Sequence, residues 1–384
     1  MNSRISEVVL AAVILVVVVS AFAQTWTQTS APGAVGPEAF AMSADGRKAV
    51  AVSSGGQPIF SVDSGKTWQT NLTSPAAYDC IALSADGTQE ALVCWSNFTI
   101  SISTNSGLDW AQTGSPQSYQ WWSLACSADG HTLIGAIRDS GGLIYVSTNS
   151  GSTWAAGGSP GKSWASVACS ADGTRIVAAA NGDKIYTSTN WGMTWTATAA
   201  ASAGWLSVAC SADGEKLIAS GNATYISANF GVNWTLVNTN SGPVASSADG
   251  TRLAIGSGSI YTSSDSGASW VSNSAPVTSA PQFSWIACSA DGCRMFARRF
   301  GSPGIWTCQI ASAPTLKIRS STGSEALVSW LVPSTNFVLQ QSADLTAPGW
   351  VTLTNVPTLN LTNLQEEILL APPNPGSFFR LTAQ

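Results

Sequence analysis

Two short phrases alternate along this chain, and their spacing constrains the fold more than any other feature. The tetrapeptide SADG occurs seven times, with its aspartates at Asp45, Asp86, Asp129, Asp172, Asp213, Asp249 and Asp291. The intervals are 41, 43, 43, 41, 36 and 42 residues. Between these copies runs a second phrase, S-x-(D/N)-x-G-x-x-W. Its tryptophans are Trp68, Trp110, Trp154, Trp195, Trp234 and Trp270. A period of about 40 residues marks an array of supersecondary units that must stack to bury their faces.

Residues 164–200 show what one period builds. WASVACS is small and β-branched, SADG supplies a turn, and TRIVAAA follows. Asn181-Gly182-Asp183 turns again into KIYTSTN, and the tryptophan phrase leads into TWTATAA. This reads as four short strands joined by tight turns, with no convincing helical period. Four strands per unit is the pattern of a propeller blade. The last unit, from Ser284, offers three strands and no fourth. TWTQTS at 25–30 reads as the missing outer strand, with Trp26 one period (42 residues) before Trp68. The expected fold is all-β: a seven-bladed β-propeller over residues 24–312, closed by its N-terminal strand. Closure removes the sheet edge that could pair with another chain, so a monomer is expected.

The tryptophan phrase is the Asp box, or BNR repeat, at 61–68, 103–110, 147–154, 188–195, 227–234 and 263–270. Residues 25–310 thus resemble the sialidase-like group of β-propellers. That group includes sialidases, xyloglucan-cleaving hydrolases, sortilin-type receptor ectodomains and photosystem II assembly factors. The resemblance implies architecture and leaves function open, because one scaffold hosts many roles. Asp63, Asn105, Asn149, Asn190, Asn229 and Asp265 are expected to bond their own turn backbone. Gly65 and its counterparts supply positive φ, and the box tryptophans fill the gap between sheets. All are scaffolding roles.

Only 10% of residues are charged, with 16 Lys+Arg against 21 Asp+Glu. So few cations exclude a phosphate-tracking nucleic-acid groove. Residues 1–23 carry Arg4, an apolar run Val8–Val19 and Ala21-Phe22-Ala23 before Gln24. That is the pattern of a secretory signal peptide, and twelve apolar residues are short of the roughly twenty that span a bilayer. The chain is expected to be secreted or at the cell surface or periplasm, touching membrane only if this segment stays uncleaved. Four of the eight cysteines, Cys126, Cys169, Cys210 and Cys288, share the slot before SADG and read as unpaired core residues. Cys80–Cys94 and Cys293–Cys308 flank turns and are candidate cross-strand disulfides. No CxxC occurs, so no metal site and no cofactor are expected.

Catalytic chemistry is sparse. His131, the single histidine, follows a SADG turn and reads as exposed. The arginine pattern of sialidases is not matched, since the Arg-Ile-Pro motif is absent. Glycoside hydrolysis needs two carboxylates, for which Asp79 at a strand start and Asp139 in a loop are weak candidates. The aromatic pattern is stronger. Tyr78, Trp121, Trp164, Trp205 and Phe283 each lie eight residues before a SADG aspartate, with Trp122 and Trp285 beside them. They either ring the mouth of the central channel, with Arg138 nearby, or pack between blades. Exposed, they would hold polysaccharide or a protein partner. The expectation is an exported, non-enzymatic binding or scaffold protein. A polysaccharide-cleaving glycoside hydrolase and a protein-complex assembly factor are the alternatives.

After Pro314 the period stops. Residues 313–384 read as six short strands in a small β-sandwich-like module. LVSW, FVLQQSADL, GWVTL and FFRLT resemble a tail domain of exported proteins from Verrucomicrobia-type bacteria, which implies attachment, sorting or sugar binding.

Overall fold

The computed structural model describes residues 24–31, 39–52, 56–73, 78–94, 98–117, 119–273, 283–299, 304–310, 314–321, 325–333, 335–343, 349–371 and 377–383. Residues 1–23 lie outside them. Every named element is a β-strand. Among the described residues no helix is long and apolar enough to cross a membrane.

The described residues between 27 and 309 form seven antiparallel sheets, six of four consecutive strands and a seventh completed by the N-terminal strand; a two-residue strand adds a fifth to one of them. The third is typical, running Trp121–Cys126, Leu133–Ile137, Ile144–Ser147 and Ala155–Ala156 from inner to outer strand. The seventh joins Phe283–Cys288, Arg294–Arg299 and Ile305–Gln309 to Thr27–Gln28 from the N-terminus, with Thr27 opposite Thr307. The orphan strand therefore pairs where the period places it.

The SADG turns explain their own repetition. In each, the buried serine hydroxyl donates to the aspartate two residues on and accepts the amide five residues on. Ser127 does so with Asp129 at 2.6 Å and Thr132 at 2.9 Å. The glycine holds positive φ, as at Gly130 (77°), which leaves the turn unstrained. The alanine links neighbouring repeats. The Ala44 amide donates to the Ala85 carbonyl, and so on through Ala128, Ala171, Ala212, Ala248 and Ala290, which donates back to Ala44, all at 2.7–2.8 Å. The circuit of seven hydrogen bonds is closed.

The box residues make the expected turns, and the first serine does more than expected. Ser61 Oγ accepts the Gly65 amide at 2.9 Å and donates to Asp63 at 2.8 Å, while Trp68 Nε1 donates to the Gly65 carbonyl. The residue before each box glycine is also left-handed: Ser64, Ser106, Ser150, Trp191, Phe230 and Ser266 have φ of 52–63°. Bulky side chains rarely occupy that region.

The strand register sets neither candidate disulfide pair directly opposite one another. Cys80 lies opposite Val93, and it packs with Ile100 and Trp121. Cys94 packs with Val50 and Leu92, in the cluster on the other side of the sheet. Met295, not Cys293, lies opposite Cys308.

Residues 317–383 form two further sheets. One runs Lys317–Ser320, Ala326–Leu331, Gln365–Leu370, Thr358–Asn360; the other runs Val351–Thr352, Phe337–Ser342, Phe378–Ala383. Thr358–Asn360 is a strand beyond the six expected. Val328, Trp330, Leu339 and Ile368 form the core these sheets share.

Candidate functional site

The aromatic series splits by a single residue of register. Trp121, Trp164, Trp205 and Phe283 are buried, exposed by 3% or less. Each of these tryptophans packs edge-on against the tyrosine of the third strand of its repeat, and at a tilt against the box tryptophan. For Trp164 the partners are Tyr186 at 5.5 Å and Trp195 at 6.1 Å. Trp121 repeats this with Tyr145 and Trp154, and Trp205 with Tyr225 and Trp234. Gly135 makes room, since a Cβ there would sit 2.6 Å from the Trp121 ring. Trp164 Nε1 donates to the Gly142 carbonyl at 3.0 Å, so its polar edge is satisfied too. Of the two readings of this series, packing inside the array describes these four: they are part of the aromatic core of their repeats. Tyr78 begins the second sheet's inner strand, and its side chain lies outside the described residues.

What faces outward is the next residue. The pairing register shifts between Trp121 and Ser123, between Trp164 and Ser166, between Tyr78 and Cys80, and between Phe283 and Trp285. A β-bulge leaves one residue without a partner and turns its side chain away from the ladder. Trp122, Ala165 and Ser284 are those residues, and Asp79 holds the same place in the backbone of the second sheet. Leu206 takes the corresponding place in the fifth repeat. Trp122 is 43% and Leu206 50% exposed.

These positions surround a cavity of about 640 Å³ at one end of the inner strands. Its walls include Trp122, Ala165, Leu206, Gly242, Pro243, Ser284 and Trp285. Trp121 and Phe283 contribute from behind. The wall serines are largely committed to structure: Ser123, Ser166 and Ser207 each accept an amide from the next repeat at 3.1–3.2 Å. Arg138, in the loop after Leu133–Ile137, is the one charged residue among the described lining. Its guanidinium carbon lies 3.7 Å from the centroid of the Trp122 ring. Such a stack is worth about 0.5–1 kcal/mol at an exposed site and holds the donor fork over the cavity rim.

Asp139 is exposed and absent from the described lining. Its carbonyl accepts the Gly142 amide in a tight turn. Asp79 occupies the second sheet's bulge, and its side chain lies outside the described residues. His131 is exposed beside Asp129. Among the described residues, no group of three or more His, Cys, Asp or Glu is placed to hold a metal. The sequence could have pointed to the exposed ring. The residue seven before each SADG aspartate varies among Glu, Asp, Trp, Ala, Leu, Gly and Ser, whereas the slot beside it is aromatic in five of the seven repeats.

No protein-family model matches the chain. No curated protein matches it significantly. Solved structures do resemble it. A structure described as YCF48 bound to D1 peptide is 16% identical, with a TM-score of 0.57 over 76% of this chain and 98% of that one. The GH74 enzyme of Niastella koreensis is 15% identical, with a TM-score of 0.60 over 80% of this chain and 59% of that one. The WD40 repeats of RRP9 are 13% identical, with a TM-score of 0.58 over 75% and 99%. At these identities the likeness is one of fold: the chain has a β-propeller-type architecture, shared with binding proteins and with an enzyme.

Proposed function

We propose that the seven sheets are the blades of a closed seven-bladed β-propeller of the Asp-box type, spanning residues 24–312. A β-sandwich-like module follows at 313–384. The protein is an exported, non-catalytic binding protein that takes a segment of a protein partner at the channel mouth. The closed circuit of alanine hydrogen bonds supports the ring, and the leader at 1–23 supports export.

One observation carries the binding reading. The cavity presents exposed Trp122 and Leu206, the small residues Ala165 and Gly242 between large ones, and a single stacked cation, Arg138. Large and small neighbours make pockets for side chains, and a guanidinium pairs with a carboxylate of the partner. A sugar would bring many hydroxyls, each needing a partner once buried, and most wall serines are already engaged. The likeness to a propeller solved with a peptide adds support.

Polysaccharide is the second reading, favoured by the indole faces of Trp122 and Trp285 at the cavity and by the likeness to a GH74 enzyme. Two measurements on the mature chain separate them. Selection of a displayed peptide library should enrich binders that Trp122→Ala and Arg138→Ala both release. Retardation in polysaccharide gels, abolished by Trp122→Ala, with no peptide enriched, would replace the protein partner with a glycan.

A further inference from the structure

The channel has a second end, at the SADG turns, and the C-terminal module occupies it. The turn joining Thr358–Asn360 to Gln365–Leu370 carries Leu361 and Leu364. Leu364 packs in both clusters formed by the alanine ring: with Ala44, Ala290 and Val332, and with Ala128, Ala171 and Ala212. The turn is shaped for this by its own side chains. Asn360 Oδ1 accepts the Thr362 amide and Asn363 Oδ1 accepts the Gln365 amide, both at 2.9 Å. Leu364 itself is left-handed (φ 53°), and its carbonyl is held by the Val332 amide at 3.1 Å. At the rim, Arg47 of the first repeat donates to Asn336 of the module.

Behind Leu364 lies a cavity of about 180 Å³, walled by the slot before each SADG: Cys126, Cys169, Cys210 and Cys288, with Met42, Leu83 and Ser246. The same inner strands wall the mouth cavity two to four residues earlier, so both spaces lie along one axis.

We infer that the C-terminal module is a stopper, with Leu364 seated in the alanine ring, that shuts the SADG end of the channel. The alanines suit both tasks. Their small side chains let neighbouring backbones bond directly, and they leave a central hole that one leucine fills. With this end shut, whatever binds at the mouth has one way in, and a polymer cannot thread the channel.

The four ring thiols report on the seal. Full-length protein is treated with methylmercury chloride, a thiol reagent small enough to pass a hole one leucine wide, and the labelled cysteines are located by peptide mapping. Leu364→Gly removes the stopper side chain at a backbone angle that glycine adopts without cost. The expected result is labelling of Cys126, Cys169, Cys210 and Cys288 at least tenfold faster in Leu364→Gly than in the parent protein. Cys80 and Cys94, inside sheet cores, should stay unlabelled in both. If Leu364→Gly exposes those two as well, the milder Leu364→Ala is read in the same way. Equal ring-thiol rates in the parent and in the folded variant overturn the stopper, because a reagent arriving by the mouth does not sense residue 364.

Discussion

The Ala290 amide donates to the Ala44 carbonyl oxygen at 2.8 Å, linking the last repeat directly to the first. The same seam is closed on the outside by the N-terminal strand, whose Trp26 is buried at 4% exposure among Ala254, Ile260, Phe283 and Trp306. Truncating this tryptophan leaves a large cavity where the two ends of the array meet. Trp26→Ala should cost about 3–5 kcal/mol of unfolding free energy. The check is a denaturant titration, in which the midpoint falls. A loss under about 1 kcal/mol would mean that the seam holds without its outer strand.

A second seam carries a charge. Lys48 of the first repeat places its ammonium 2.6 Å from the Glu90 carboxylate of the second and 2.5 Å from the Gly87 carbonyl. Both residues are buried. Burial raises the Glu90 carboxyl above its ordinary range, and the lysine opposes that shift. Lys48→Met removes the opposition, so the folded-state value rises further above the unfolded one. The variant should then lose stability as pH rises from about 4.5 upward, reaching a deficit of about 3–5 kcal/mol at neutral pH. Lys48→Met with Glu90→Leu should recover most of it. Melting the three proteins at pH 4 and pH 7 tests this. A double variant as unstable as the single one would show that packing, not the stranded charge, sets the cost.

The Asp boxes provide an internal exchange experiment. Hydrogen bonds from the Thr67 hydroxyl and amide hold the Asp63 carboxyl down to about 2. A depressed folded-state value stabilises above the unfolded value, near 3.8, and this contribution fades as pH falls from there through about 2. The group is largely exposed, so solvent screening keeps the effect small. Four other boxes carry asparagine. Asn149 Nδ2 donates to the Thr153 hydroxyl, and Asn190 Nδ2 to that of Thr194, reproducing the turn without the charge. Asp63→Asn should therefore change stability at pH 7 by less than about 0.5 kcal/mol. It should also lose less than the parent between pH 5 and pH 2. Thermal melts across that range decide; parallel acid limbs would deny Asp63 any part in acid sensitivity.

The repeats were legible because each phrase carries its own reason to recur. Ser127, Ala128, Asp129 and Gly130 each make a bond or adopt an angle that any SADG turn requires, so the period survives in letters. The four strands per repeat and the pairing of Thr27–Gln28 follow from it. The exposed wall of the mouth cavity was not legible, for a geometric reason. Strand alternation fixes which residue is buried only while the register is regular, and a bulge between Trp121 and Ser123 resets it. Two adjacent tryptophans thereby receive opposite environments. The disulfide candidates rested on the same alternation. Cys80 and Cys94 are near in sequence and in adjacent strands, yet the shift between Tyr78 and Cys80 and the faces of the sheet separate them. Nothing in the period foretells that Leu364, outside the array, sits in its alanine ring.

Trp122 and Trp164, from neighbouring repeats, therefore separate binding from folding. Trp164 is fully buried, satisfied by the Gly142 carbonyl, and packed on two aromatic rings. Trp164→Ala should cost about 3–5 kcal/mol and weaken any binding only by unfolding the protein. Trp122 is 43% exposed and stacks on Arg138, so Trp122→Ala should cost under about 1 kcal/mol. Arg138 loses its platform in that variant and is free to leave the rim. Affinity for a peptide selected on the parent protein should then fall at least tenfold in Trp122→Ala. Arg138→Ala should lower it as well and weaken the dependence on salt, because a surface ion pair is screened. Isothermal titration at two salt concentrations, beside a melt of each variant, reads both effects. Full affinity in a folded Trp122→Ala protein would move the binding surface away from this mouth.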